Sequence, residues 1–251
     1  MRVVGMIPVR MESVRLPNKA LAKIQGISMI LHTWKRCSYA DKLDDLFVVT
    51  DSLEIKDLVT SFGGKVLMTR TDHLSGSDRI AEAALAVEAE IIVNIQGDEA
   101  LVSPLHINQL ISHSIKSIAP VSILTTKFYK KSSPSDVKVV LDCDGNIMYA
   151  SRADIPFSKS GGETKFTKAY HVVAFRKNFL LEFTSWAPSK LELIEGNEYL
   201  RIIERGRSIS TVLVSSDAIS VDTAEDLKFV DNIMRQDPLF AKYKDVFLSK
   251  L

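Results

Sequence analysis

Two cysteines in 251 residues, Cys37 and Cys143, are too few for a disulfide framework or a cysteine-rich metal site. A reducing, cytoplasmic setting is the expectation. Charge of either sign is not in excess: 32 Lys and Arg face 31 Asp and Glu, a formal net charge of +1. Without a global positive field, neither nucleic acid nor an anionic membrane surface is an expected partner, and any anion site must be local. No apolar run approaches the roughly 18–20 residues of a membrane span. The opening MRVVGMIPVR lacks the long apolar stretch and cleavage site of a signal peptide. Glycine (11) and proline (8) are sparse, which excludes collagen-like and low-complexity chains. There is no GxxxxGK[ST] loop, no GxGxxG after the first strand, no HExxH, no CxxC and no nucleophile elbow, so P-loop, dinucleotide, zinc-protease and triad chemistries are disfavoured.

What is present is ordinary globular composition, 46% hydrophobic and 25% charged, with alternating strand and helix signals. Val3 to Val9, Leu46 to Thr50, Lys65 to Thr69 and Glu90 to Ile95 read as buried strands. Helical patterns at about 28–39, Leu53 to Phe62, Ser77 to Val87 and Pro104 to Ile118 lie between and after them. This alternation predicts an α/β fold, a mixed, mainly parallel sheet with helices on both faces. The second half is more mixed. Strands are expected at Pro120 to Thr125, Val137 to Asp142, Ile147 to Ala150, Tyr170 to Phe175 and Ile209 to Val214, with Asp144-Gly145 as a hairpin turn. One helix is expected over Lys190 to Glu204, and a last one from the capping box at Thr223 to about Arg235. Ser158 to Lys168 reads as a polar, mobile loop.

Four segments carry the chemistry. Pro8 to Lys19 follows the first strand, where open α/β sheets bind ligands, and brings Arg10, Arg15 and Lys19 within ten residues. Forked guanidinium bonds and a lysine point charge suit a polyphosphate; a solvated charged loop is the other reading. Asn18 tolerates the left-handed backbone almost as well as glycine. Gln96-Gly97-Asp98-Glu99 ends an apolar strand and would present Asp98 at the same sheet edge, as a Mg²⁺ ligand or as a plain turn residue. Asp222, before the last helix, is a second metal carboxylate or a helix cap. Ser75-Gly76-Ser77-Asp78-Arg79 opens a helix whose backbone N–H groups can hold an anion or polar ring atoms. Among the histidines, His32 reads as structural and His73 as able to line a site.

Taken in order, PxRxxSxRLPxKxL, MTRxDHxSGSxR, IVNIQGDE, VKVVLD, DGxxxYxSRxxIP and VDTxEDL resemble the CMP-Kdo synthetases (3-deoxy-manno-octulosonate cytidylyltransferases) of the nucleotide-sugar transferase superfamily. The resemblance runs from about Val3 to Leu227. It implies a nucleotide-diphospho-sugar transferase-like fold with a small dimerisation and acceptor subdomain: one domain over 1–251, with about 1–118 as the CTP half, about 119–215 as the acceptor and dimerisation part, and 216–251 as the metal-ligand turn and helix. It implies transfer of CMP from CTP to the anomeric 2-hydroxyl of a 2-keto-3-deoxy sugar acid, Mg²⁺ on Asp98 and Asp222, and a homodimer in surface-polysaccharide or lipopolysaccharide assembly. Arg10, Arg15 and Lys19 match the triphosphate cradle, with Asp98 beside them in the catalytic set. Pro8 and Val9 match the cytosine-reading backbone, with Ser75 and Gly76 also on the nucleotide. Arg79, Gln96, His171, Glu195, Glu198 and Tyr199 fall on the acceptor side. Departures cluster there: Ala169, Val173 and Tyr199 stand where the family has His, Tyr and Gln, and Glu195 and Glu198, three apart, would share a helix face. These changes leave Kdo or a close analogue, such as an amino or deoxy variant, as the expected acceptor. A nonulosonate-like or phosphonate acceptor, or a silent nucleotide-binding relative, is the alternative.

Overall fold

The structure, a computed structural model, describes residues 1–11, 16–159, 165–215 and 219–250. Arg15 lies outside them. The chain opens with β1 (Val3–Val9), a 3₁₀ turn (Lys19–Leu21) and a two-stranded hairpin, β2 (Lys23–Ile24) and β3 (Ile27–Ser28). Then follow α1 (Met29–Cys37), β4 (Asp45–Thr50), α2 (Leu53–Ser61), β5 (Lys65–Met68), α3 (Gly76–Ala84), β6 (Ile91–Ile95) and α4 (Pro104–Lys116). The second half contains β7 (Val121–Phe128), β8 (Lys138–Leu141), β9 (Ile147–Ser151), β10 (Phe166–Arg176), α5 (Lys177–Thr184), α6 (Lys190–Glu195), α7 (Leu200–Glu204), β11 (Ile209–Val214), α8 (Ala224–Met234) and α9 (Lys244–Leu248).

One sheet runs in the order β11-β7-β10-β6-β1-β4-β5, and β8 pairs with β10 and β9 at its side. Only β10 opposes its neighbours along that path, so the other six strands share one direction. The expected mixed, mainly parallel sheet is therefore present. Strand β1 is buried along its whole length because each face is covered. Val3, Ile7 and Val9 pack towards α1, α2, α4 and the C-terminal segment, whereas Val4 and Met6 pack towards α3, α5 and α7. That two-residue alternation is the pleat of the strand, and it puts helices on both sides. The strand order reverses at β1: the chain steps from β1 to β4 and β5 on one side, then returns through α3 to β6 on the other. A reversal of this kind leaves a crevice beyond the carboxyl ends of β1 and β6.

Two sequence expectations are corrected. The single helix over Lys190 to Glu204 is two short helices, because Gly196 adopts the left-handed conformation (φ 60°, ψ 42°) and ends α6. Glu195 and Glu198 consequently do not share a helix face. The Glu195 carboxylate turns to β9, accepting from Ser151 Oγ at 2.6 Å, Tyr149 Oη at 3.2 Å and the Arg152 backbone N–H at 2.9 Å. Burial opposes its charge, yet these donors hold its pKa below the usual carboxylate range. It is a fastener between α6 and β9. Of the expected loop Ser158 to Lys168, residues 160–164 lie outside the described residues, and its last three residues are strand, since β10 begins at Phe166.

Sequence reading ended the last helix near Arg235, but the chain goes on to pack. Phe240, Tyr243 and Phe247 lie on one side of the C-terminal segment, and Phe247 stacks on Phe62 with ring centroids 4.7 Å apart. Tyr243 Oη donates to His32 Nδ1 at 2.7 Å, while His32 Nε2–H donates to the Ile24 carbonyl at 2.8 Å. A carbonyl can only accept, so it sets this tautomer. Burial lowers the His32 pKa to about 4.

Two tests follow from these contacts. Between about pH 6.5 and 4 the unfolded chain binds a proton at His32 that the folded chain refuses, so stability falls as pH falls through that window. His32→Gln should remove this share of the slope; urea melts showing the same difference from wild type at pH 7 and pH 4.5 would contradict it. Glu195→Gln should cost about 1–2 kcal/mol, because an amide turns donors towards donors. The KM for the small-molecule substrates should not change.

Candidate active site

The crevice beyond β1 and β6 is a cavity of about 450 Å³. Its floor is the end of β1, Pro8, Val9 and the exposed Arg10, beside Gln96, Gly97 and Asp98 from the end of β6. These two strand ends approach closely. A Cβ on Gly97 would meet Val9 Cγ2 at 2.7 Å and the Pro8 carbonyl at 3.3 Å, so any larger residue would displace the end of β1 or the Val9 side chain. One wall is the start of α3. Ser75 caps it, accepting from the Asp78 N–H at 3.1 Å, while the Asp78 carboxylate accepts from the Ser75 N–H at 3.1 Å. Ser75 and Gly76 line the cavity with the positive end of a helix behind them.

Opposite stands Lys19, raised on the 3₁₀ turn that begins after Asn18. Asn18 takes the left-handed conformation (φ 53°, ψ 34°), which few residues other than glycine enter readily. The Lys19 ammonium donates to Asp98 Oδ2 at 2.5 Å and to Asp222 Oδ1 at 3.0 Å. Burial would lower its pKa, but the two carboxylates together raise it. Asp222 reaches this point because its segment is sewn to the end of β6. The Val221 N–H donates to the Asp98 carbonyl at 3.1 Å, and Ser220 Oγ donates to the Glu99 carboxyl. Thr223, not Asp222, caps α8, accepting from the Asp226 N–H at 3.1 Å. Asp222 is thus left to face the cavity. Glu99 itself is buried and its pKa is pushed up to about 8 by burial, with Asp98 adding to the rise. The sequence reading did not single it out.

Asp98 and Asp222 converge on one cation although 124 positions separate them in sequence (222 − 98). Two carboxylate oxygens at an open cavity are a donor set that a hard divalent ion takes, with phosphate and water completing its shell. No group of three or more His, Cys, Asp or Glu side chains suited to a metal occurs among the described residues. Asp98 and Asp222 are the pair that could supply carboxylate oxygens to such an ion at this cavity.

The acceptor-side candidates are dispersed. Gln96 lines the cavity and its N–H meets the His171 carbonyl on β10. His171 keeps part of its surface open; burial lowers its pKa, Asp98 and Asp222 pull it up, and Lys168 and Arg152 push it down. It stands within the field of the carboxylate pair. Arg79 lines the cavity too, but its guanidinium is taken by Asp51 at 2.8 Å, Thr69 Oγ1 at 2.7 Å and the Arg70 carbonyl at 3.3 Å. That makes it a brace for the ends of β4 and β5 rather than an open cation. Glu198 accepts from Ser77 Oγ at 2.7 Å, just behind the α3 N-terminus, and burial raises its pKa. Tyr199 is buried beside it, in the cluster that also holds Ala169 and Val173. His73, one of the cavity-lining residues, is fixed by a hydrogen bond to Glu82.

Residues 4–209 match the cytidylyltransferase family model. The chain is 41% identical over 251 residues to the 3-deoxy-manno-octulosonate cytidylyltransferase of Syntrophobacter fumaroxidans, covering 96% of this chain and all of that one. It is 38% identical to the 8-amino-3,8-dideoxy-manno-octulosonate cytidylyltransferase of Shewanella frigidimarina, over 91% of this chain and 96% of that one. A solved CMP:2-keto-3-deoxy-manno-octonic acid synthetase complexed with CTP superposes with a TM-score of 0.90 at 33% identity, covering 94% of this chain and 99% of that one. The sheet with its switch at β1, the cavity there and these matches agree: the chain belongs to the cytidylyltransferase family, CTP-dependent nucleotidyltransferases, alongside the 3-deoxy-manno-octulosonate enzymes.

Proposed function

We propose that this protein transfers CMP from CTP to the anomeric 2-hydroxyl of 3-deoxy-manno-octulosonate or a close analogue, releasing pyrophosphate. The observation that carries the reading is the convergence of Lys19, Asp98 and Asp222 on one point of a cavity floored by Arg10. Backbone around Pro8 and Val9 reads the cytosine edge, and Ser75 and Gly76 bring helix-terminal N–H groups to the nucleotide. Arg10 and Lys19 take the triphosphate. Asp98 and Asp222 would hold Mg²⁺, which when bound neutralises charge on the phosphates and favours the ionised acceptor hydroxyl. Reaction at phosphorus then rests on placing the hydroxyl in line with the leaving pyrophosphate, a matter of position and charge rather than of a covalent enzyme intermediate. Gln96 and His171 face the acceptor. A cytoplasmic homodimer serving surface-polysaccharide assembly is the setting we propose. No helix among the described residues is long and apolar enough to cross a membrane.

The acceptor's tail is the open choice. Ala169 and Val173, at 6% and 1% exposure, sit in an apolar cluster and supply no hydrogen bond where the family has His and Tyr. An acceptor tail placed against this part of β10 would find no polar partners for its hydroxyls and would be discriminated by shape, worth about 1–3 kcal/mol. We therefore propose an acceptor that differs from 3-deoxy-manno-octulosonate in its tail, away from the carboxylate and anomeric centre.

Pyrophosphate release with CTP and a panel of sugar acids tests both statements. Asp98→Asn should lower turnover about a hundredfold or more with the fold intact, because an amide cannot give a hard cation its preferred charge. Near wild-type turnover in that variant would remove the metal assignment. The specificity constant for a tail-modified acid should exceed that for 3-deoxy-manno-octulosonate; equal constants would return the chain to the ordinary acceptor.

A further inference from the structure

In the structure the place where Asp98 and Asp222 meet is held by a side chain of the chain itself. The Lys19 ammonium lies 2.5 Å from one carboxylate and 3.0 Å from the other, with only 18% of its side chain exposed. An ion bound at about 2.0–2.1 Å to those same oxygens could not coexist with an ammonium so placed. Two cations at one point repel, and the lysine would first have to give up two charge-assisted hydrogen bonds. A bare metal ion offers the displaced ammonium no new partner. A triphosphate does: its oxygens are anionic acceptors, and the four-carbon stem of Lys19 swings from a fixed turn.

We propose that Lys19 is the resting occupant of the divalent-cation site, so that the site opens to metal only when a nucleotide triphosphate draws the ammonium away. The inference rests on the proposed reading of Asp98 and Asp222 as metal ligands and adds an order of events to it. Lys19 serves in turn as a plug for the carboxylates and as a phosphate ligand. Without nucleotide, the carboxylate pair is kept neutralised and closed to adventitious metal. Binding of metal and of nucleotide becomes reciprocal: CTP raises metal affinity by the factor by which metal raises CTP affinity.

The test is direct binding of Mn²⁺ to the full chain, followed by water-proton relaxation, with and without CTP and with no acceptor present. Wild type should bind Mn²⁺ weakly alone and much more tightly with CTP. Lys19→Met should bind Mn²⁺ alone at least about tenfold more tightly than wild type, since the competing charge is gone. Lys19→Arg, which keeps the charge, should stay as weak as wild type, and adding Asp98→Asn to Lys19→Met should abolish the gain. Lys19→Gln repeats the measurement should the methionine variant not show a wild-type melting transition. Uncharged variants that bind Mn²⁺ alone no better than wild type, while wild type with CTP still binds it through Asp98, would overturn the plug and leave the metal reading standing. Absence of any Asp98-dependent Mn²⁺ binding in wild type with CTP would overturn both.

Discussion

Two carboxylates facing the same point repel each other unless a cation lies between them, and the architecture of this protein is arranged around that requirement. Asp98 comes from the end of the sheet's central strand pair, and Asp222 from the turn before the last long helix. At an effective dielectric near 20, unit charges about 4 Å apart interact by about 4 kcal/mol. Lys19 supplies the balancing charge from a third segment. The arrangement holds only because backbone bonds make it: the Val221 N–H is tied to the Asp98 carbonyl, Ser220 to Glu99, and the lysine's turn is set by a left-handed Asn18.

Around this centre the molecule divides labour by rigidity. Strands β1 and β6 are wholly buried, so the residues at their ends are carried on stiff supports, as a positioned phosphate site needs. Gly97 lets the two ends close to contact. Arg79, which resembles a substrate ligand by its motif, instead locks the ends of β4 and β5 through Asp51 and Thr69. A buried guanidinium with matched acceptors fixes geometry, whereas an exposed one such as Arg10 is free to meet an anion.

The acceptor side follows a different logic. Ala169, Val173 and Tyr199 lie with Phe175 and Phe179 in one apolar cluster. Glu198 and Ser77 pair just behind the α3 N-terminus. The cavity lining thus carries Arg10, Lys19, Asp98 and Asp222, while Ala169, Val173 and Tyr199 lie in the core and do not line it.

Much of this was legible in the sequence. Continuous apolar runs and helix caps located the strands and helices of the first half, because those patterns are local and complete within a few residues. Asn18, Ser75 and Thr223 announced their turns and caps by residue type alone. Arg10, Lys19 and Asp98 could be named because chemistry-bearing residues after parallel strands gather at one edge of the sheet, and Asp222 because its motif before the last helix matches the family it resembles. The sequence did not show that Lys19 lies between the two aspartates, that Ser220 meets Glu99, or that Glu195 turns away to β9. The break at Gly196 hid in a stretch with otherwise helical composition. Phe240, Tyr243 and Phe247 carried an i, i+3, i+7 signal, but the surface they cover, around His32 and Phe62, comes together only on folding. The reason is the same for each of these pairings: sequence sets what a residue can do and its local conformation, whereas partners 43 to 211 positions away are chosen by how the sheet and its covering helices pack.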